Sequence, residues 1–387
     1  MRAQSLSGLC SNIGVNPAMH DAMVENDIIY GRKESFVQRT SCECYDMSYY
    51  DNSKVSLEKN CPLVSIIIPA YNVATYLDES VQSAVSQTYT NLEVVIVDDG
   101  STDDTGILCD EWALRDPRIS VIHQNNRGIS GARNTGLAAI CGEYVFCLDS
   151  DDRASPHLIE RCIEFMDDDV DVVHFESNLI DENGDAVRSS AKKYGINDDP
   201  LKLVLSGIMP SYATRMLLRS SLAKKILYPI GRKAEDLAVV YRLFSEAKSV
   251  RVIPDRLYDY RIRSGSIIDE SVSNPTKAIQ YCVDEMQTFQ EMIDWAQSIS
   301  DIQYLPIVKN YMLKQLFGYY RTMVRLNDAE GLDWIKIQLK TALNHISAPD
   351  LTRSNHWRAV LFRNNILTPY TKMEVSIKDV AKKILGR

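Results

Sequence analysis

From Pro62 onward the chain alternates short β-branched runs with helically spaced apolar residues. Val64–Ile68, Glu93–Val97, Ile119–Ile122, Tyr144–Leu148 and Val170–Phe175 are predicted as buried strands, because each is a brief apolar run bounded by turn residues. Between them, Tyr76–Ser86, Asp104–Leu114, Ile129–Ala139 and Pro156–Met166 carry apolar residues at helical spacing, with Pro156 suited to a first turn. Strands alternating with helices predict an α/β fold with a mostly parallel sheet covered on both faces. Asp181-Glu182-Asn183-Gly184 reads as a hairpin turn, 185–234 has no dominant period, and Glu235–Ala247 is predicted helical. Val250–Pro254 and Leu257–Ile262 read as two strands. From Pro275 the stripe Ile279, Cys282, Val283, Met286, Phe289 and Ile293 marks a helical region.

The expected organisation is a polar, weakly patterned extension over 1–61, an α/β domain over 62–274 and a helical region over 275–387 with a basic amphipathic end. That end, Leu351–Arg387, has eight Lys/Arg and two acids in a chain whose formal net charge is −9. It suits contact with an anionic membrane surface, although a solvated basic helix has the same composition. The overall acidity excludes broad attraction to nucleic acid. No run approaches the ~18–20 apolar residues of a membrane span, and Met1–Pro17 has no signal-peptide core. Leu6–Cys10 faintly resembles a lipoprotein cleavage site, but bulky Leu9 and the lack of an upstream apolar region argue against one. The nine cysteines, an odd and scattered set, fit reduced thiols in a cytoplasmic protein.

In sheets of this kind ligands sit beyond the carboxyl ends of the strands, and four predicted strands end in polar residues. They are Pro69-Ala70-Tyr71-Asn72, Asp98-Asp99-Gly100-Ser101, His123-Gln124-Asn125-Asn126 and Asp149-Ser150-Asp151-Asp152. Three carboxylates within four residues at 149–152 repel one another and call for a divalent cation such as Mg²⁺ or Mn²⁺, which takes one or two carboxylates plus phosphate oxygens. A polar turn capping the next helix is the structural alternative. Asp98 and Asp99 offer acceptors for a nucleobase and ribose, while Gly100 permits a tight turn and Ser101 or Thr102 suits a helix cap.

Taken in order, these segments resemble the family 2 glycosyltransferases, which have the GT-A fold. The resemblance runs from 62 to about 270, through Val64–Asn72, Ser83–Tyr89, Val97–Thr102, Asn126-Arg127-Gly128 with Ala132-Arg133-Asn134, and Asp149–Asp152. It implies that Pro69, Tyr71, Asn72, Asp98, Asp99 and Ser101 line a nucleotide pocket, with Arg133 near the base or diphosphate. It further implies that Asp149, beside Ser150, contacts ribose, and that Asp151 with Asp149 binds metal. Ala234-Glu235-Asp236-Leu237 resembles the family's glutamate–aspartate motif, making Asp236 the general base and Glu235 its positioning or acceptor-contacting neighbour. Tyr260-Arg261 and Arg263 to Ser266 resemble a segment found after the catalytic helix in capsule-type members, which implies that Arg263 and Ser266 bind the departing diphosphate; a strand whose arginines pair with surface acids is the equal alternative.

The implied activity is inverting, metal-dependent transfer of a sugar, from a UDP-sugar by expectation, to a glycan or lipid-linked acceptor in bacterial surface polysaccharide synthesis. The expected location is the cytoplasm, with peripheral contact at the inner membrane. The missing Gln-x-x-Arg-Trp signature favours one sugar per encounter over processive synthesis. A catalytically degenerate nucleotide-sugar-binding subunit is the non-enzymatic alternative, against which the intact Asp149, Asp151 and Asp236 argue. A sugar nucleotidyltransferase is a further alternative, but Pro69–Asn72 has no glycine-rich basic phosphate loop.

Overall fold

The computed structural model describes residues 61–187, 198–263 and 273–385. Residues 1–60, for which an extension was expected, and Ser266 lie outside them. The strands are β1 (Val64–Ala70), β2 (Leu92–Asp98), β3 (Ile119–His123), β4 (Tyr144–Cys147), β5 (Arg153–Ala154), β6 (Val172–Ile180), β7 (Ala186–Val187), β8 (Met216–Arg219) and β9 (Val250–Arg261). The helices among them are α1 (Ala74–Val85), α2 (Thr105–Arg115), α3 (Gly128–Ala139), α4 (Leu158–Ile163), α5 (Pro200–Leu205), α6 (Ser220–Ala223) and α7 (Glu235–Glu246). Five more follow: α8 (Pro275–Ser298), α9 (Tyr304–Leu326), α10 (Ala329–Asn344), α11 (Arg353–Arg363) and α12 (Leu367–Leu385).

One sheet runs in the order β3-β2-β1-β4-β8-β6-β9-β5, with β7 paired to β6. The β3-β2-β1-β4 half is parallel, as the apolar runs predict. The other half is mixed: β8 lies antiparallel between β4 and β6, β5 is antiparallel to β9, and β6 and β9 are parallel. β8 is only four residues long and sits in the stretch without a dominant period, so it gave no strand signal. The two strands expected around Pro254 are one. The β6–β9 register shifts between His174 and Glu176, where Val252 and Arg256 are the flanking partners, and the irregularity accommodates a residue that cannot donate to a ladder.

Every residue of β1 is buried, because helices cover both sheet faces. Ile66 and Ile68 pack with Leu77 and Val81 of α1, whereas Ile67 packs with Ala132 and Leu137 of α3 and with the apolar side of α7. The second of these cores also takes in Phe289 and Met292 of α8 and Val308 of α9, so the first C-terminal helices share the packing that holds α7. A third core lies among α8 to α12.

The approach of α3 to β1 depends on Gly136, where a Cβ would lie 2.4 Å from Ile67 Cγ2. Gly136→Val should overpack this contact and destabilise the fold by about 1–3 kcal/mol. The check is a lower denaturant midpoint at unchanged slope; an unchanged midpoint would mean that α3 is not held tightly on the sheet.

Candidate functional site

Because β2, β1 and β4 are parallel neighbours, their carboxyl ends form one rim. The turn after β4 carries Asp149, Ser150, Asp151 and Asp152; the turn after β1 carries Tyr71 and Asn72; the turn after β2 carries Asp98 to Ser101. Helix α1 crosses all three. Its Ala74 N–H donates to Asp103, its Tyr76 ring lies beneath Arg263, and Ser80 Oγ donates to the Asp149 carbonyl.

The centre of the site is Arg133 on α3, which is 1% exposed. Its Nη1 donates to Glu235 Oε1 at 3.0 Å and to Asp236 Oδ1 at 2.8 Å, and its Nη2 donates to Asp149 Oδ1 at 3.0 Å. The guanidinium also lies over the Tyr228 ring, 5.2 Å from its centroid. One cation therefore joins the turn after β4 to the first turn of α7. Asp236 is fixed from its other side by the Ala213 amide, which donates to Oδ2 at 3.2 Å. Three carboxylates sharing one guanidinium in a buried place cannot all be fully compensated. Burial, then the charge of Asp236, raises Glu235 to about 8 despite its contact with Arg133. Burial likewise raises Asp149, with Arg133 opposing and Asp151 and Asp236 adding to the effect.

Asp151 faces a second arginine: Arg263 Nε donates to its Oδ2 at 2.6 Å. Arg261 and Arg263 both lie over the Tyr76 ring, at 5.0 and 5.7 Å. Asp152 has a different job. It is buried, accepting from the Tyr258 hydroxyl at 2.6 Å and from the Arg261 amide at 2.7 Å, and Arg261 Nε donates back to the Asp151 carbonyl. Burial, reinforced by Asp151 and Asp149, pushes the Asp152 carboxyl well above the usual range. This carboxylate pins the acidic turn to β9. Ser150 is buried beside it.

At the β1–β2 end, Asn72 has φ +48°, and its Oδ1 accepts from the Thr102 N–H at 2.8 Å. The Asn72 N–H donates to Ser101 Oγ, so Ser101 and Thr102 brace the neighbouring turn; the cap of α2 is Asp104 instead. Gly100 has φ +75° and a Cβ there would meet the Asn126 amide at 3.0 Å, so the tight turn expected of it is present. Asp98 accepts from the Ser101 N–H through Oδ1 and contacts His123 Nδ1 at 2.8 Å through Oδ2. Asp99 Oδ1 accepts from Gln124 and the Arg127 amide. Pro69 is buried in β1, while Tyr71 is half exposed on the rim.

The predicted residues thus fall into two adjoining groups. Asp149, Asp151, Arg133, Glu235, Asp236 and Arg263 converge at the β4–α7 side; Asn72, Asp98, Asp99 and Ser101 occupy the β1–β2 side. Tyr228, Tyr258, Tyr76 and the Ala213 amide were not legible as site components, since a tyrosine among apolar residues reads as packing and a backbone amide leaves no mark in the sequence; His123, at one of the polar strand ends, meets Asp98.

Asp149 and Asp151 lie on one turn, interact electrostatically, and each has one oxygen engaged by an arginine. That fits a hard ion taking two protein carboxylates and completing its shell with phosphate and water. Among the described residues no cluster of three ligating side chains forms.

The model of the family described as "Glycosyl transferase family 2" matches residues 65–227. The chain is 29% identical over 300 residues to Streptococcus pneumoniae glycosyltransferase GlyG, covering 72% of this chain and 95% of that protein. It is 41% identical over 145 residues to Escherichia coli chondroitin synthase, covering 36% of this chain but only 21% of that protein. Among solved structures, S. aureus TarS 1–349 in complex with UDP-GlcNAc aligns with a TM-score of 0.64 at 21% identity, over 82% of this chain and 91% of that one. The rim of acidic turns on a half-parallel sheet, the family match across it and the likeness in fold lead to one conclusion: residues 65–227 carry a domain similar to the family 2 glycosyltransferases, and the chain has the GT-A fold.

Proposed function

We propose that this protein transfers a sugar, with inversion, from a UDP-sugar to a hydroxyl of a glycan or lipid-linked acceptor in bacterial surface polysaccharide synthesis. The observation that carries the reading is the Arg133 bridge, which holds the turn with Asp149 and the helix start with Asp236 against each other. A donor held at the first and a base at the second would share one space. The nucleotide would lie along the β1–β2 turns, where Asp98, Asp99 and Asn72 are already ordered by neighbouring side chains. TarS, whose fold is similar, is described with UDP-GlcNAc, which supports a uridine donor here.

Asp149 and Asp151 would hold the Mg²⁺ or Mn²⁺ whose chemistry is to offset charge on the leaving diphosphate. Arg263, at 2.6 Å from Asp151, lies where a guanidinium can pass from carboxylate to phosphate oxygens. Ser266 is proposed beside it from the motif alone. Asp236, with both oxygens oriented, takes the proton of the attacking acceptor hydroxyl. Glu235 retains a proton at neutral pH, which leaves more of the Arg133 charge to Asp236 and Asp149. The protein would work at the cytoplasmic face, and the basic helix α12 would rest on anionic lipid. No helix among the described residues is long and apolar enough to cross a membrane.

Asp236→Asn should lower transfer of radiolabelled sugar to a lipid–glycan extract by about 10²–10⁴-fold, with UDP binding nearly intact. Full turnover by that variant refutes the base. Asp151→Asn should lose both transfer and the Mn²⁺-dependent thermal stabilisation by UDP-sugars. An unchanged stabilisation would remove the cation from Asp151.

Glu235 supplies a pH test. Its folded value of about 8 lies above its ordinary 4.5, so the folded state binds the extra proton and wild-type stability falls as pH rises through that interval. Glu235→Gln, which carries no such titration, should gain stability relative to wild type from about pH 5 to 8 and then level off, on the order of 1.4 kcal/mol per unit of displaced pKa. A pH-independent difference in denaturant midpoint contradicts the buried-proton assignment. For the tail, Lys372→Glu with Lys378→Glu should reduce co-sedimentation with phosphatidylglycerol vesicles. Equal binding by both proteins excludes α12 as the contact.

A further inference from the structure

The C-terminal helices enclose a groove of about 740 Å³ that shares no residue with the site around Arg133. Helix α9 forms its floor. Lys314, Gly318 and Arg321 fall at positions four and three apart, which places them on one helix face. Arg358 enters from α11, its guanidinium 6.0 Å from the centroid of the Phe317 ring. Ile208 and Ile307 supply apolar wall, and Ile208 is 49% exposed.

Three features of this groove point to a ligand. The first is charge. Lys314, Arg321 and Arg358 face it with Asp350 as the one lining acid, and the Asp350 carboxylate is engaged by the Ser347 hydroxyl. Glu374 serves Arg321 at 3.5 Å and Lys378 at 3.1 Å and is also the carboxylate that half-buried Arg358 acts on from beyond ion-pair distance, so one acid answers three cations.

The second is Gly318. It sits inside a 23-residue helix, and a Cβ there would meet nothing within 4 Å. Glycine in a helix interior costs roughly 1 kcal/mol against alanine, and neither packing nor backbone conformation demands it here. A bare backbone on a groove floor lets a ligand approach closely.

The third is preorganisation. Buried Asn310 and Asn355 tie α9 to the start of α11: Asn355 Nδ2 donates to the Asn310 carbonyl, and the Thr352 amide donates to Asn310 Oδ1. Arg358 is therefore carried on a fixed wall.

We propose that this groove binds an amphipathic phosphate ester, its phosphate or diphosphate head on Arg358, Arg321 and Lys314 and its apolar chain along Ile208, Ile307 and Phe317. The site stands apart from the glycosyl-transfer reading, and either can fail without the other.

The test is isothermal titration of the full chain with geranyl diphosphate, inorganic pyrophosphate and geraniol, in EDTA to silence cation-dependent binding at Asp149 and Asp151. Geranyl diphosphate should bind at least ten-fold more tightly than either other probe. Arg358→Ala should weaken it ten-fold or more. Gly318→Leu should do the same while melting at or above the wild-type temperature, since its side chain fills open space and favours the helix. Asp151→Asn should leave the affinity unchanged. Pyrophosphate binding as tightly as geranyl diphosphate would overturn the proposal in favour of a free-phosphate site. So would wild-type affinity in folded Gly318→Leu or Arg358→Ala, loss of affinity in Asp151→Asn, or no binding of geranyl diphosphate by the wild type.

Discussion

A single buried guanidinium organises the acidic rim. Arg133 meets Asp149, Glu235 and Asp236 within 3.0 Å, so three segments far apart in sequence are ordered by one charge. Removing one partner of such a cluster leaves uncompensated charge out of water, which is far more costly than the pair is stabilising. The arrangement has little slack. The cation is carried by α3, whose close seat on β1 requires Gly136, and the face of the Arg133 guanidinium is covered by Tyr228. Tyr228 is itself held in place by Asn134, which donates to the Tyr228 carbonyl and accepts from its amide. The neighbouring residues Arg133 and Asn134 thus fix charge and cover together.

A second lock holds the turn after β4 from the opposite side. Asp152 takes a hydroxyl and an amide from β9, and Arg261 reaches back to the Asp151 carbonyl and on to Glu79 of α1. Consecutive aspartates therefore divide the labour. The Asp149 carboxylate is tied to Arg133 of α3, that of Asp152 to β9, and that of Asp151 between them to the more exposed Arg263. Burial, reinforced by the neighbouring carboxylates, displaces both Asp149 and Asp152 upward, and Arg133 opposes the effect at Asp149.

How much of this was legible follows from the kind of signal each element leaves. The parallel half of the sheet was, because strands buried on both faces are written as continuous β-branched runs such as Val64–Ile68. β8 was not, because four residues carry too little pattern, and β9 was split at Pro254 because proline reads as a strand breaker, whereas the extra residues of β9 between the partners of His174 and Glu176 accommodate it. The acidic ends of β2 and β4 and the Glu235-Asp236 start of α7 were visible as residue types in order. Their connection was not. Arg133 sits mid-helix among small residues, and only the fold brings it to carboxylates 16 and about 100 positions away. Asp98 was read as facing a ligand; its oxygens also brace the turn through Ser101 and His123, and a histidine ending the adjacent strand gave no hint of that contact.

The helical region after Pro275 is part of the same mechanics. Helix α7 turns Leu237, Val240 and Phe244 into the core that Phe289 and Met292 of α8 complete, and the Lys233 amide just before it donates to Asp284 of α8 at 2.9 Å. Arg232, just before α7, and Arg242, within it, both pair with Glu291 of α8. The start of α7 is thereby held between Arg133 on one side and α8 on the other. The orientation of Asp236 depends on both, since a carboxylate fixed at one oxygen by a guanidinium and at the other by the Ala213 amide tolerates little rotation of the helix that bears it. The C-terminal helices consequently set the position of Asp236 as surely as the sheet does, although none of their residues touches it through a hydrogen bond or ion pair among the described residues.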